Sequence, residues 1–224
     1  RPLSGPDEAE QAGPELDEQG DRGIAVTGIV KATLGSPGIA HALLQGGVKR
    51  LGDSRIENIE ALRRAHVRAP MTLVRSPMPS QVRRVVEAAD VSFNTELDVI
   101  AALSAAAGRT GRTHGVVLMV ELGDLREGIM PRDLHDFVRA TLRLPNVTLA
   151  GIGANLTCRS GVVPDRANMG ELSALADSID AAFQGVLDGP LDLVSGGNSA
   201  NLGWVSGCVS PKCQSRWPRG AAQR

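Results

Sequence analysis

The chain has 224 residues, of which 42% are hydrophobic and 22% are charged, and its 24 Lys and Arg residues nearly balance 25 Asp and Glu residues. This composition is typical of a globular chain and gives no support to nucleic-acid binding, which needs a basic surface. No apolar run approaches the roughly 20 residues of a membrane span, and the first residues lack the features of a signal peptide. We therefore expect a cytoplasmic protein without membrane contact.

Composition divides the chain into three parts. Residues 1–22 contain seven acidic residues and almost nothing apolar, so we expect a disordered or frayed acidic tail. Residues 206–224 contain four basic residues and no acidic residue, and we expect an irregular basic tail. The remaining segment, 23–205, is the predicted folded domain.

Seven short apolar runs in this segment alternate with helical patterns, and we predict that they form buried strands. In chain order they are residues 24–30, 48–52, 71–74, 90–93, 116–121, 147–154 and 191–194. Capping signals define both ends of the first predicted helix: Ser36-Pro37 predicts an N-cap followed by proline at the first helical position, and Gly46-Gly47 predicts the C-terminus. Thr95 with Asp98 is close to a capping box before another helix.

The alternation predicts parallel strands joined by right-handed crossovers. A doubly wound sheet could take seven strands, but even spacing without a Gly-rich loop after the first strand favours a (β/α)8-type TIM barrel. Such a barrel averages ~250 residues, so the folded segment is one or two units short of that length. We therefore expect an incomplete α/β barrel of about seven strands whose last strand is missing or replaced, because nothing after Trp204 resembles an eighth.

Two features at predicted strand ends indicate a cofactor. Lys31 ends the first strand, where a lysine that loses hydration can form a Schiff base; the alternative is an ordinary lysine at a strand end. Ser195, Gly196, Gly197, Asn198 and Ser199 follow the seventh strand, where backbone N–H groups can bind a phosphate. Because the first and seventh strands lie near each other around a closed barrel, the pair suggests pyridoxal 5'-phosphate (PLP) bound through Lys31.

Other polar side chains extend this predicted rim. Arg126 lies in the charged loop after the fifth strand and could face a carboxylate or a phenolate oxygen; the alternative is a solvated loop. The remaining polar groups at strand ends are Asp53, Asn58, Asn94, Asp124, Asn155 and Cys158. Of these, we predict that Asn58 and Asn94 bind the substrate, as Arg126 does, and that Asn155 binds the cofactor. We expect the four histidines (His41 and His135 in helices, His66 and His114 in connections) to be surface residues. No metal site is expected, because neither they nor the three cysteines have metal-site spacing.

Five segments together closely resemble the alanine/ornithine racemase family of PLP-dependent enzymes, which have the alanine-racemase-type barrel. They are residues 26–31 (VTGIVK), 46–58 (GGVKRLGDSRIEN), 123–128 (GDLREG), 151–158 (GIGANLTC) and 195–199 (SGGNS). The resemblance covers about residues 23–203. It implies that Lys31 is the Schiff-base lysine, that residues 195–199 hold the cofactor phosphate, and that Arg126 lies near the cofactor hydroxyl and the substrate.

The chain departs from the family pattern at both ends. The acidic tail stands where family members have a strand and a helix, and residues 206–213 stand where they have a last strand with an R-x-G motif. Arg159-Ser160 also replaces an aromatic residue followed by glycine. We expect these altered ends to impair the activity that the resemblance implies.

The leading hypothesis is a PLP-dependent amino-acid racemase, with ornithine or another basic amino acid favoured over alanine. Lys31 would remove the α-proton from one face, and, because the chain has no Tyr, Cys158 and Asp124 are the candidates for the other face. The alternatives are a non-catalytic PLP-binding homeostasis protein, an inactive racemase fragment and, more remotely, a Schiff-base aldolase. The expected partner is a small-molecule amino acid. The sequence leaves the oligomeric state open, with a homodimer as one possibility.

Overall fold

The computed structural model describes residues 25–156 and 162–196. Seven parallel strands form one curled sheet in which each strand pairs with the next along the chain. The strands are β1 (Thr27–Ile29), β2 (Arg50–Asp53), β3 (Met71–Leu73), β4 (Val91–Asn94), β5 (His114–Val120), β6 (Val147–Ala154) and β7 (Leu193–Ser195). Every predicted strand is present within a few residues, so the predicted incomplete (β/α) barrel is confirmed. The two predicted tails lie outside the described residues.

Helices follow the strands and cover one face of the sheet. They are α1 (Pro37–Gln45), α2 (Ile56–Arg64), α3 (Val82–Ala88), α4 (Leu97–Thr110), α5 (Leu134–Thr141) and α6 (Arg166–Ala182). Short 3-10 turns occupy Lys31–Thr33, Pro79–Gln81 and Pro131–Asp133. Because each helix returns the chain to the start of the next parallel strand, the carboxyl ends of all seven strands lie along one rim.

The apolar core forms layers on both sides of the sheet. On the helix side, strand residues such as Leu51 and Leu118 pack with apolar helix residues in two large clusters. On the opposite, inner face, Phe93, Val117 and Met119 form a smaller cluster with residues of the neighbouring strands. Each strand therefore alternates between the two layers, as the pleat requires.

Helix ends match the sequence signals only in part. α1 has Ser36 as its N-cap and Gly46 as its C-cap, as predicted, although the Ser36 side chain makes no capping bond. The capping box predicted at Thr95 was wrong: α4 begins after Glu96, and the Thr95 hydroxyl lies 3.2 Å from Ser76 Oγ instead. Packing between neighbouring loops therefore outweighed the local capping preference.

His114 corrects a second prediction. It is not in a surface connection, because it begins β5 with 1% of its area exposed and its Nε2 lies 2.9 Å from Ser92 Oγ. Burial lowers its pKa to about 4, although Asp90 and a hydrogen bond with the Ala89 backbone act in the opposite direction. His114 is therefore a neutral, hydrogen-bonded core residue at the amino end of the barrel, away from the rim.

Candidate functional site

Lys31 lies at the carboxyl end of β1 with an exposed side chain. The Val30 amide donates to the Gly52 carbonyl at 2.9 Å, so the β1–β2 ladder continues one residue beyond the strand. The Val30 carbonyl then accepts from the Thr33 hydroxyl at 3.0 Å and from the Gly35 amide at 3.1 Å, which turns the chain sharply. Lys31 thus stands on a turn that its neighbours fix, at the rim.

The loop after β2 packs against this turn. Asp53 is fully buried and accepts hydrogen bonds from the Arg55 amide at 2.8 Å and from Asn58 Nδ2 at 3.0 Å. Gly35 has a φ of 65°, and a Cβ there would lie only 2.7 Å from Asn58 Cβ. The buried carboxylate and the close glycine therefore hold Asn58, a predicted substrate-binding residue, beside the segment that follows Lys31.

Asn94, the second residue predicted to bind substrate, ends β4 and is fully buried. Its Nδ2 donates to the Ser92 carbonyl at 2.8 Å and lies 3.0 Å from Ser92 Oγ. Its register partner is Leu118, which belongs to the helix-side layer. Asn94 therefore points to the helix side of the sheet rather than to the inner face, and within the described part of the chain its Oδ1 has no hydrogen-bond partner.

A short, well-anchored loop follows β5. The Glu121 carboxylate accepts from the amides of Gly123 and Leu125 at 2.6 Å and 3.0 Å. The Ile129 amide donates to the Met119 carbonyl at 2.8 Å, and the Glu121 amide donates back to the Ile129 carbonyl at 2.9 Å. These backbone bonds close the loop at its base, so its side chains are presented from a fixed support.

Arg126 lies in this loop among carboxylates. Its Nε lies 3.3 Å from Glu127 Oε2 and 3.5 Å from Asp124 Oδ2. Glu127 Oε1 also accepts from Asn155 Nδ2 at 2.9 Å, and Asn155 directly follows β6. The structure thus brings together three predicted site residues: Arg126 pairs directly with Asp124, and Glu127, which was not predicted from the sequence, joins Arg126 to Asn155. Its position beside Arg126 in a glycine-bounded loop was the available signal.

β7 brings Ser195 to the same rim. Gly151 and Gly153 of β6 pair with Leu193 and Ser195, and a Cβ at Gly153 would lie 2.9 Å from Ser195 Cβ and 3.2 Å from Met119 Sδ. Ser195 and Gly196 are partly buried. The other predicted phosphate-binding residues (Gly197, Asn198 and Ser199) and Cys158 lie outside the described residues.

Two clefts lie apart from Lys31. One of about 380 Å³ lies between the ends of α5 and α6 and is lined by residues that include Arg139 and Phe183. The other, about 230 Å³, lies between the loops after β2 and β3 and is lined by residues that include Arg55 and Arg75. Residues 25–156 and 162–196 contain no cluster of three metal-binding side chains and no helix long and apolar enough to cross a membrane.

Comparison with known protein families places this chain in one family. The sequence profile described as "Alanine racemase, N-terminal domain" matches residues 16–213. The chain therefore belongs to the alanine racemase N-terminal domain family, which confirms the resemblance seen in its motifs.

Two curated relatives are racemases of basic amino acids. The chain is 38% identical over 175 residues to the ornithine racemase of Acetoanaerobium sticklandii, an alignment that covers 78% of this chain and 48% of that protein. It is 30% identical over 183 residues to the lysine racemase of Thermotoga maritima, with 81% and 49% covered. The chain thus spans about half the length of these relatives.

Solved structures support the fold. An alanine racemase from Clostridium difficile 630 in complex with cycloserine superimposes with a TM-score of 0.72 at 16% identity, covering 87% of this chain and 54% of that one. PipY from Synechococcus elongatus PCC7942 with PLP bound superimposes with a TM-score of 0.72 at 19% identity, covering 89% and 94%. At these identities the likeness establishes the barrel and nothing finer.

Proposed function

We propose that this chain is the PLP-binding barrel of an amino-acid racemase that acts on a basic amino acid such as ornithine or lysine. The observation that carries the proposal is the exposed Lys31 on a fixed turn after β1, on the same rim as the joined group of Arg126, Glu127 and Asn155. Family membership and the two basic-amino-acid racemases among the relatives support the reaction class.

The surface below Lys31 fits PLP, a flat ring with polar groups at its edge. Ile29 is partly exposed on the inner face, and a Cβ at Gly52 would lie 2.8 Å from Ile29 Cδ1 and 3.1 Å from Val74 Cγ1. Lys31 follows Ile29 by two residues, just past the sharp turn that the chain makes at Val30. Gly52 thus gives the partly exposed Ile29 side chain room on the inner face, next to the turn that carries Lys31, and an apolar surface of this kind suits the ring of the cofactor.

In this proposal Lys31 holds the cofactor through its ε-amino group. Asn155 would hold the ring, and Ser195 and Gly196, with Gly197, Asn198 and Ser199, would hold the phosphate; the loop contains no cation, so backbone N–H groups supply the field. When bound, PLP withdraws electrons from the substrate Cα and makes its proton removable.

The proton steps belong to this chain's own side chains. The ε-amino group of Lys31 would take the substrate α-proton on one face. Arg126 presents its guanidinium donors to an oxygen of the substrate or cofactor, and Asn58 lies beside the Lys31 turn to contact the substrate. For the opposite face, the ion pair between Asp124 and Arg126 occupies that carboxylate, which favours Cys158.

A basic substrate also suits the charge of the rim loop. Residues 121–127 carry a net charge of −2, because three carboxylates (Glu121, Asp124 and Glu127) stand against one guanidinium (Arg126). Such a local excess attracts a cationic side chain.

A cytoplasmic location and a homodimer complete the proposal. Exposed apolar side chains on the rim (Leu34, Met78 and Leu125) support self-association.

The experiment combines cofactor binding with turnover. PLP is titrated into the purified protein and followed by visible absorbance, and chiral chromatography then measures conversion of L-ornithine, L-lysine and L-alanine. We expect Lys31→Ala to abolish both signals and the matched control Lys49→Ala, at an exposed lysine before β2, to leave both unchanged. A Lys31→Ala variant that racemises at the wild-type rate would overturn the proposal.

A second candidate is a PLP-binding protein without racemase activity. It is favoured by the match to PipY, of which this chain covers 94%, whereas it covers about half of the racemases. PLP binding that requires Lys31 with no racemisation of any of the three amino acids would select this candidate.

A further inference from the structure

We infer that Glu127 is a positioning residue of this site, which acts by holding Asn155 and Arg126 in one fixed arrangement. The inference rests on the proposed function and deepens it. Glu127 Oε1 accepts from Asn155 Nδ2 at 2.9 Å and from Arg126 Nη2 at 3.3 Å, and Glu127 Oε2 lies 3.3 Å from Arg126 Nε. One carboxylate thus joins the loop after β5 to the residue that follows β6.

The backbone at Glu127 is fixed independently of its own side chain. The next residue, Gly128, approaches Glu121 so closely that a Cβ on it would lie 2.5 Å from the Glu121 nitrogen and 2.7 Å from its Cα. Ile129 then pairs with Val120 in a short parallel bridge. Replacing the Glu127 side chain should therefore leave the loop in place and remove only the contacts of its carboxylate.

Those contacts decide how Asn155 is presented. Asn155 is partly buried one residue past β6, and Glu127 fixes which way its amide points. Arg126 keeps a second partner in Asp124, whose side chain is 8% exposed, so Arg126 retains an anchor when Glu127 is removed. The larger effect of losing Glu127 should consequently fall on Asn155 and on the cofactor contact assigned to it.

The chemistry of the contact predicts which replacement restores it. A glutamine keeps a carbonyl oxygen that can accept from Asn155 Nδ2 but has no negative charge for Arg126. Glu127→Gln should therefore preserve the placement of Asn155, whereas Glu127→Ala should lose it. A matched control is Asp133→Ala, because Asp133 follows Arg132 as Glu127 follows Arg126, in an exposed pair at 3.7 Å.

The test is a PLP titration of these variants. We expect Glu127→Ala to raise the Kd for PLP roughly fivefold, the effect of about one lost hydrogen bond. Glu127→Gln and Asp133→Ala should stay within about twofold of wild type. The double variant Glu127→Ala with Asn155→Ala should bind no more weakly than Asn155→Ala alone, because Glu127 acts through Asn155. An unchanged Kd in Glu127→Ala, or additive effects in the double variant, would overturn the inference.

Amide hydrogen exchange without PLP separates this inference from the proposed function. We expect exchange near residue 155 to be faster in Glu127→Ala than in wild type and to match wild type in Glu127→Gln, and equal exchange in all three proteins would overturn the inference. If the wild-type protein binds no PLP, the proposed function fails and the exchange result alone decides the role of Glu127. If wild type binds PLP and Glu127→Ala binds it equally well, the proposed function stands and the positioning role is wrong.

Discussion

Gly151 is the position in the sheet where a single added methyl group should do most damage. It pairs with Leu193 across the β6–β7 ladder. A Cβ at Gly151 would overlap the Leu193 carbonyl oxygen and would lie 2.7 Å from the Leu193 carbonyl carbon and 3.0 Å from its Cα. The obstacle is backbone, which cannot rotate away as a side chain can, so Gly151→Ala must push β7 outward.

The expected loss follows from that displacement. Carbon atoms in contact normally lie about 3.5–4.0 Å apart, so the carbon distances alone require β7 to shift by about 1 Å, and the overlap with the carbonyl oxygen requires more. Overpacking of this kind costs about 1–3 kcal/mol, and one weakened ladder bond adds about 1 kcal/mol. We therefore expect Gly151→Ala to lower the free energy of unfolding by about 2–4 kcal/mol and Tm by roughly 5–15 °C. PLP affinity should fall as well, because β7 carries Ser195.

Thermal unfolding followed by circular dichroism measures this effect, with Gly170→Ala as the matched control. Gly170 lies in α6, and a Cβ there would meet no atom within 4 Å. That replacement should raise the free energy of unfolding by about 0.5–1 kcal/mol through helix propensity. A Gly151→Ala variant as stable as wild type would show that β7 does not pack against β6 as described, and the reasoning would fail.

Three further predictions concern stability and pH. His66 has a φ of 58° just after α2, a left-handed conformation that glycine adopts more readily, so His66→Gly should raise Tm by about 2–4 °C. The same change at His41, inside α1, should lower Tm. The reverse order would contradict the argument from the left-handed backbone at His66. His114 has a folded pKa of about 4, below its ordinary 6.5, so it stabilises the fold above that ordinary value and less as pH falls toward 4. Between about pH 7.5 and about pH 5, denaturant titrations should show the free energy of unfolding falling by about 2 kcal/mol more in wild type than in His114→Gln. Equal decreases in the two proteins would refute this role of His114. Asp165→Ala should cost about 1 kcal/mol by removing two capping hydrogen bonds at the start of α6, whereas Ser36→Ala, where no such bond exists, should change little; similar effects would contradict the capping account.

The strand pattern could be predicted from sequence because parallel strands buried on both faces are continuous apolar runs. Residues 147–154, for example, were predicted as a strand and form β6 with the same limits. The order of the strands followed too, since sequential crossovers in a barrel leave each strand beside the next. The position of Lys31 at the rim then follows from its place at the end of β1.

Contacts between loops could not be predicted in the same way. Nothing local shows that the Thr95 hydroxyl meets Ser76 or that Glu127 meets Asn155, because both contacts depend on how separate loops meet at the rim. His114 was misplaced for a related reason: a polar residue next to glycine looks like a connection until Ser92 on the neighbouring strand supplies its hydrogen bond.

The attachment of PLP to Lys31 is the central claim, and reductive labelling tests it most directly. Borohydride reduces the link between PLP and a lysine to a stable bond, and peptide mapping by mass spectrometry then locates the added mass. The chain has three lysines, at positions 31, 49 and 212, so the result is unambiguous. We expect the label on the peptide that contains Lys31 alone. Stoichiometric label on Lys49 or Lys212, with Lys31 unmodified, would contradict the account.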